Sequence, residues 1–177
     1  MRVDDSTAIP GLRRIEPDVF RDERGEFVET WNDGDYAFER EDGAPLVFRE
    51  DDLSLSRAGV LRGLHGDRRT WKLVQCAHGA LHAVVADLRP ESGAYLRWEP
   101  FELTAANRLQ LLIPPGCATG VVALADPSLM LYKQSERYAG AEGQFTVRWD
   151  DPALGIDWPV ARPLLSERDA GAPDIQP

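Results

Sequence analysis

Between residues 73 and 149 the chain is a succession of short apolar runs, each cut off by residues that turn the backbone. Leu73–Cys76 gives way to Ala-His-Gly, and the Val-rich run Leu81–Leu88 stops at Arg-Pro-Glu-Ser-Gly. Leu96–Leu103 alternates Trp98 and Phe101 with charges. Arg108–Ile113 ends at Pro-Pro-Gly, Val121–Leu124 ends at Ala-Asp-Pro, and Leu129–Lys133 and Phe145–Trp149 follow. Runs this short, bounded by Gly, Pro and Asp, form strands, and their regular spacing predicts an all-β sandwich or barrel. Helical periodicity is weak; Tyr36–Glu41 and Asp151-Pro152-Ala153-Leu154 are where a turn or two of helix is expected. No stretch reads as a repeat, a low-complexity segment or a linker. Residues 1–177 are therefore read as one domain, with a Pro-, Ala- and Asp-rich tail from about residue 160 that wraps the surface.

With 177 residues the chain is long enough for a real core, and 43% hydrophobic with 28% charged residues is the balance of a soluble globular protein. A formal net charge of -10 argues against nucleic acid as a partner, because that binding draws its affinity from displaced counterions. A small anion is still possible, since a local cluster of Arg and Lys can hold phosphates on an acidic protein. Cys76 and Cys117 form no CxxC pair, so a reducing compartment is the simpler expectation. The N-terminal Met-Arg-Val-Asp-Asp-Ser-Thr lacks the apolar core of a signal peptide, and runs such as Val121–Ala125 are too short to cross a bilayer. The expectation is a cytoplasmic protein with no membrane partner.

The chemistry-bearing residues are few. His65 ends the stretch Gly59-Val-Leu-Arg-Gly-Leu-His65. Strand alternation puts Leu61, Gly63 and His65 on one face and Arg62 on the other; a bulge at Gly63 would bring both to one cavity. A lone histidine is either a hydrogen-bonded structural residue or a general base, since imidazole titrates near neutrality. His65, His78 and His82 have no carboxylate nearby that completes a compact ligand set, so no metal is expected. Arg62, Arg68, Arg69 and Lys72 cluster in an otherwise acidic chain. They are either a solvated loop, the reading preferred for Arg68 and Arg69, or forks for a diphosphate. In Leu-Tyr-Lys at 131–133, Tyr132 and Lys133 face opposite sides. A strand tyrosine is either core or a proton donor. Ser166-Glu-Arg-Asp169 reads as tail or as a helix start.

Together these pieces resemble a known family. Arg21-Asp-Glu-Arg-Gly-Glu-Phe-Val-Glu29, Gly59–His65, Lys72-Leu-Val-Gln-Cys76 with Gly79, and Val85-Ala-Asp-Leu-Arg89 occur in the family's order. So do Gln110-Leu-Leu-Ile-Pro-Pro-Gly116, Leu131-Tyr-Lys133, Trp149-Asp-Asp-Pro152 with Ile156-Asp-Trp-Pro159, and Leu165-Ser-Glu-Arg-Asp169. The set, from about residue 10 to 173, is similar to the dTDP-4-dehydrorhamnose 3,5-epimerases and relatives acting on nucleotide-linked 4-keto sugars. The resemblance implies a cupin-type jelly-roll fold with a few short helices, a homodimer, no metal and no cofactor. It also implies a chemistry. A C4 ketone acidifies the protons at C3 and C5; a base removes one, and an acid returns a proton to the opposite face. By the resemblance, His65 is the base, Asp169 its partner, Tyr132 the proton donor, and Lys72 the cation near the keto oxygen, where negative charge develops. Arg24 and Arg62 match residues that hold the diphosphate and sugar, Glu29 lies near the nucleotide, and Tyr138 falls near an aromatic lining the pocket. The glycines beside His65 are expected to leave room for substrate.

The chain departs from the family pattern at four places. Thr119, in Gly116-Cys-Ala-Thr-Gly120, stands where the pattern has a pocket histidine, and Ala83 stands where it has an aspartate; His82 lies on the opposite strand face. The loop His65-Gly-Asp-Arg-Arg-Thr-Trp-Lys72 is short, like that of a subgroup acting on modified hexoses and heptoses, some of them GDP-linked. Glu50-Asp51-Asp52 replaces Gln-Asp-Asn, turning two amides into acids. The leading expectation is an epimerase of a dTDP- or GDP-linked 4-keto-6-deoxy sugar, acting at C3 and C5 or at C3 alone. The alternatives are a 3,4-ketoisomerase, a non-catalytic sugar-nucleotide binder and a metal-dependent cupin oxygenase.

Overall fold

A computed structural model of the chain describes residues 1–175. It contains thirteen strands: β1 (Arg2–Asp5), β2 (Arg13–Glu16), β3 (Val19–Asp22), β4 (Gly25–Val28), β5 (Glu50–Ser56), β6 (Leu61–Gly66), β7 (Lys72–His78), β8 (Ala80–Asp87), β9 (Trp98–Thr104), β10 (Gln110–Ile113), β11 (Cys117–Ala123), β12 (Ser128–Gln134) and β13 (Phe145–Thr146). Six of them form one sheet in the order β1-β2-β10-β7-β12-β5, and five form a second in the order β13-β6-β11-β8-β9; β3 and β4 make a separate hairpin. Every ladder pairs antiparallel strands. This is the all-β jelly-roll sandwich expected from the sequence.

The core between the sheets takes alternate residues from each strand: Val74 and Cys76 from β7, Ala83 and Val85 from β8, Leu111 and Ile113 from β10, Val121 and Ala123 from β11. The outer faces are covered too. Trp31, Tyr36, Phe38, Leu46 and Phe48 pack over Ile15, Leu73 and Leu112, and the chain from Val147 to Trp158 packs over Leu64, Ala86 and Ala118. Both faces of β8 are therefore buried, which is why its sequence reads as a near-continuous apolar run. Two tryptophans fasten the C-terminal cover with their indole N–H groups, Trp98 donating to the Leu154 carbonyl (2.8 Å) and Trp158 to that of Trp149 (2.7 Å).

The helix expectations need correction. Tyr36–Glu41 is a turn followed by extended chain bridged from Glu39 to Pro45, an arrangement that drives Tyr36 and Phe38 onto the sheet. Asp151–Leu154 is a single turn, held by the Asp151 carboxylate and carbonyl and closed by Gly155 at φ 58. Among the described residues the one α-helix, α1, is Glu167–Ala170. Its N-cap Ser166 accepts from the Asp169 N–H, as the helix-start reading of this stretch expects. The tail also differs from a surface wrap. After Leu164 bridges to Val60, it carries Asp169 into the interior, where that residue is 3% exposed.

Candidate active site

Where β5 and β12 face β6 and β11, the sandwich is open rather than filled. The cavity holds about 460 Å3. Its floor is apolar, made by Val74, Val121 and Met130; its walls are Asp52, Ser54, Tyr132 and Gln134 on one sheet and Arg62, His65 and Thr119 on the other. Lys72 from β7 and Ser166, Arg168 and Asp169 from the tail complete it.

The placement of His65 depends on a bulge. Thr119 pairs with His65 and Val121 with Arg62, so Gly63 and Leu64 together oppose Gly120 alone. Leu64 turns outward into the covered face, while Arg62 and His65 both line the cavity. Simple alternation would have separated them. Gly63 is required here: its φ is +126°, and a Cβ would lie 2.5 Å from the Thr119 carbonyl oxygen. At Gly66 a Cβ would collide with the Phe145 ring and the Cys117 carbonyl. The glycines beside His65 thus make room for neighbouring protein and not for substrate, contrary to expectation.

His65 Nε2 lies 2.6 Å from Asp169 Oδ1, leaving Nδ1 free. Burial pushes the Asp169 carboxyl up, but the His65 hydrogen bond and charge, with Ser166 and the Gly63 N–H, outweigh it and hold the group below its ordinary range. Burial pushes the Lys72 ammonium down, and Lys72 makes no ion pair among the described residues. Tyr132 lies directly across the ladder from Asp52. Burial, then the Asp52 and Glu50 charges, raise its phenol above the usual value, with Arg62 opposing. A phenol held protonated opposite an imidazole–carboxylate pair, beside a half-buried lysine, can remove a proton from one face of a bound carbon acid and return one to the other.

The remaining sequence candidates divide. Arg62 is tied to β5 through Ser56 Oγ (3.0 Å) and the Leu55 carbonyl (3.3 Å), and Tyr138 sits 53% exposed at the cavity's edge. Arg24 and Glu29 are elsewhere. Arg24 is on the β3–β4 hairpin, paired with Asp22 and lining a hollow of the hairpin itself, and Glu29 accepts from Asn32. Arg68 and Arg69 are exposed and outside the cavity. Sequence reading missed Arg168 and Gln134. The Arg168 guanidinium donates to Thr146 Oγ1 (2.7 Å) and Gln144 Oε1 (3.2 Å), tying α1 to β13, and β13 pairs with β6 at His65. Its neighbour Asp169 was legible only through the resemblance.

The family model for dTDP-4-dehydrorhamnose 3,5-epimerase matches residues 6–176. The chain belongs to this family. It is 42% identical over 172 residues to the dTDP-4-dehydrorhamnose 3,5-epimerase of Salmonella typhimurium, a match spanning 94% of this chain and 92% of that one. Among solved structures, the rmlC epimerase of Mycobacterium tuberculosis superimposes with a TM-score of 0.90 at 35% identity, covering 98% of this chain and 88% of that one. The RmlC of Legionella pneumophila, in complex with dTDP-4-keto-L-rhamnose, gives 0.88 at 34% identity, covering 98% and 92%. As a member of the epimerase family the chain is an isomerase. In this epimerase Thr119 and Ala83 lie on the inner faces of neighbouring strands, Thr119 paired with Val85 and Val121 with Ala83. Ala83 is fully buried in the inter-sheet core, and the buried Thr119 hydroxyl has no partner among the described residues. His82 points the other way, against Trp158.

Proposed function

We propose that the protein epimerises a nucleotide-diphospho-4-keto-6-deoxy sugar, inverting C3 and/or C5. His65, oriented by Asp169 through Nε2, takes the proton α to the ketone with Nδ1. Lys72 stabilises the enolate oxygen, and Tyr132 returns a proton from the opposite side. Arg62 and Arg168 are the cavity's guanidinium groups and hold the diphosphate, with Tyr138 beside the nucleotide. The observation that carries this reading is the 2.6 Å His65–Asp169 contact in a cavity whose other wall bears Tyr132. The unpartnered Thr119 hydroxyl next to His65 favours a second reading, in which only C3 is inverted.

Arg24 and Glu29 join the site if two copies associate. The hairpin that carries Arg24 exposes Phe20 and Phe27, and the edge strand β5 exposes Leu53 and Leu55, so both offer apolar surface to a second chain. The working form is then a homodimer. The nucleotide is dTDP, as in the Legionella complex, or GDP, as the short 66–71 loop suggests. The free, buried Cys76 and Cys117 fit a reducing, cytoplasmic setting.

Incubation with dTDP- and GDP-4-keto-6-deoxy sugars in D2O, read by NMR, tests the proposal. Deuterium at C3 and C5 that disappears in His65→Ala supports a two-centre epimerase, and deuterium at C3 alone a one-centre enzyme. Binding without exchange at either carbon would overturn the catalytic reading.

A further inference from the structure

The β5–β12 wall of the cavity has an unusual hydrogen-bonding inventory. Gln134 Nε2 donates both its hydrogens to carboxylates, to Glu50 Oε1 at 3.0 Å and to Asp52 Oδ2 at 2.8 Å. Only an amide NH2 can satisfy two carboxylates at once, so the side chain's orientation follows from its neighbours and its carbonyl oxygen is the atom left over. Glu50 is closed off, because its second oxygen accepts the Tyr138 N–H at 2.9 Å. Asp52 is not: Oδ1 has no partner and no cation lies within ion-pair distance among the described residues, although its carboxylate lines the cavity next to Tyr132. With amides at 50 and 52 this wall could both donate and accept. With both carboxyls ionised it can only accept.

We infer that the acceptor-only wall formed by Asp52 and Gln134 is a specificity element that requires a hydroxyl donor on the substrate's sugar ring. The inference rests on the nucleotide-sugar reading of the site. A phosphate oxygen brought against this wall would meet lone pairs and negative charge, so the diphosphate is held on the Arg62 and Arg168 side. A sugar hydroxyl would donate to Asp52 Oδ1 in a charge-assisted bond, the kind whose loss leaves a half-buried carboxylate unpaired.

The test compares the 4-keto nucleotide sugar with its 2-deoxy and 3-deoxy counterparts, by calorimetric binding and by kcat/KM, for wild type, Asp52→Asn and Glu50→Gln. Asp52→Asn keeps the shape but turns an amide N–H toward the cavity. Wild type is expected to disfavour at least one deoxy counterpart about 10- to 100-fold. Asp52→Asn should reduce that ratio to about threefold or less, while Glu50→Gln, which does not face the sugar, largely preserves it. Equal discrimination by wild type and Asp52→Asn would overturn the inference, as would a wild type that does not discriminate. An equal loss of affinity for the free nucleoside diphosphate in Asp52→Asn would also overturn it, by moving the contact to the nucleotide. Because selectivity is also read by binding, an absence of deuterium exchange would count against the epimerase reading alone.

Discussion

The space between the two sheets is used in two opposite ways, and the same strands serve both. At one end Cys76 and Ala123 pack into a closed core; Val74 and Val121 join that core and also floor the cavity, and Lys72 and Thr119, two residues further back on the same strand faces, open into it. On β12 the passage runs from Met130 through Tyr132 to Gln134. The pleat decides which residues face inward, and position along the strand decides whether an inward residue packs or reacts. The reactive end leaves polar groups such as Lys72 and the Thr119 hydroxyl without protein partners among the described residues, and its floor rests on the apolar core.

If the two ends are separable, cavity substitutions should remove activity and spare stability, and core substitutions should do the reverse. His65→Ala should produce the largest loss, about 10³- to 10⁴-fold in solvent-deuterium exchange; it is the exception on stability, costing about 1–3 kcal/mol because it leaves the buried Asp169 carboxylate without its partner. Lys72→Met should lower kcat by about 10²- to 10³-fold, since it removes the charge facing the developing oxyanion while relieving a half-buried ammonium. Tyr132→Phe should cost about 10²-fold in inversion while proton removal continues, so that deuterium enters faster than stereochemistry changes. Leu111→Ala, at a fully buried core position, should cost about 2–5 kcal/mol in denaturant unfolding yet leave kcat per folded molecule close to wild type.

The smallest effect sharpens the contrast by pH. The Asp169 carboxyl titrates lower in the folded chain than in the unfolded one. Its stabilisation is therefore fully present above the ordinary carboxylate pKa and is lost as pH falls through the lower folded value. Wild type should exceed Asp169→Asn in stability by about 1–3 kcal/mol at pH 7, and the gap should close under acid. A gap that stays constant with pH would show that the His65 pairing is not its source.

Strands β7 to β12 were legible because short apolar runs and turn residues mark them plainly. The five N-terminal strands were not. β1 and β3 carry mostly exposed residues, and β5 alternates Leu53 and Leu55 outward with the polar Asp52 and Ser54 inward, the reverse of the usual pattern. For the site, His65, Lys72, Tyr132 and Asp169 were reached through ordered motifs, and the structure brings all four to one cavity. Arg168 and Gln134 carry no local signal, because their roles come from partners on other elements.

Residue order alone establishes an all-β chain and the strand faces of Tyr132 and Lys133, since the pleat period is a local property. Only tertiary structure decides that Arg62 and His65 share a cavity, that Asp169 crosses to meet His65, and that Glu50 and Asp52 turn Gln134 into an acceptor. Each of these depends on a bulge or on a contact between residues distant in sequence, where pairing register and backbone sterics, and not local preference, set the geometry.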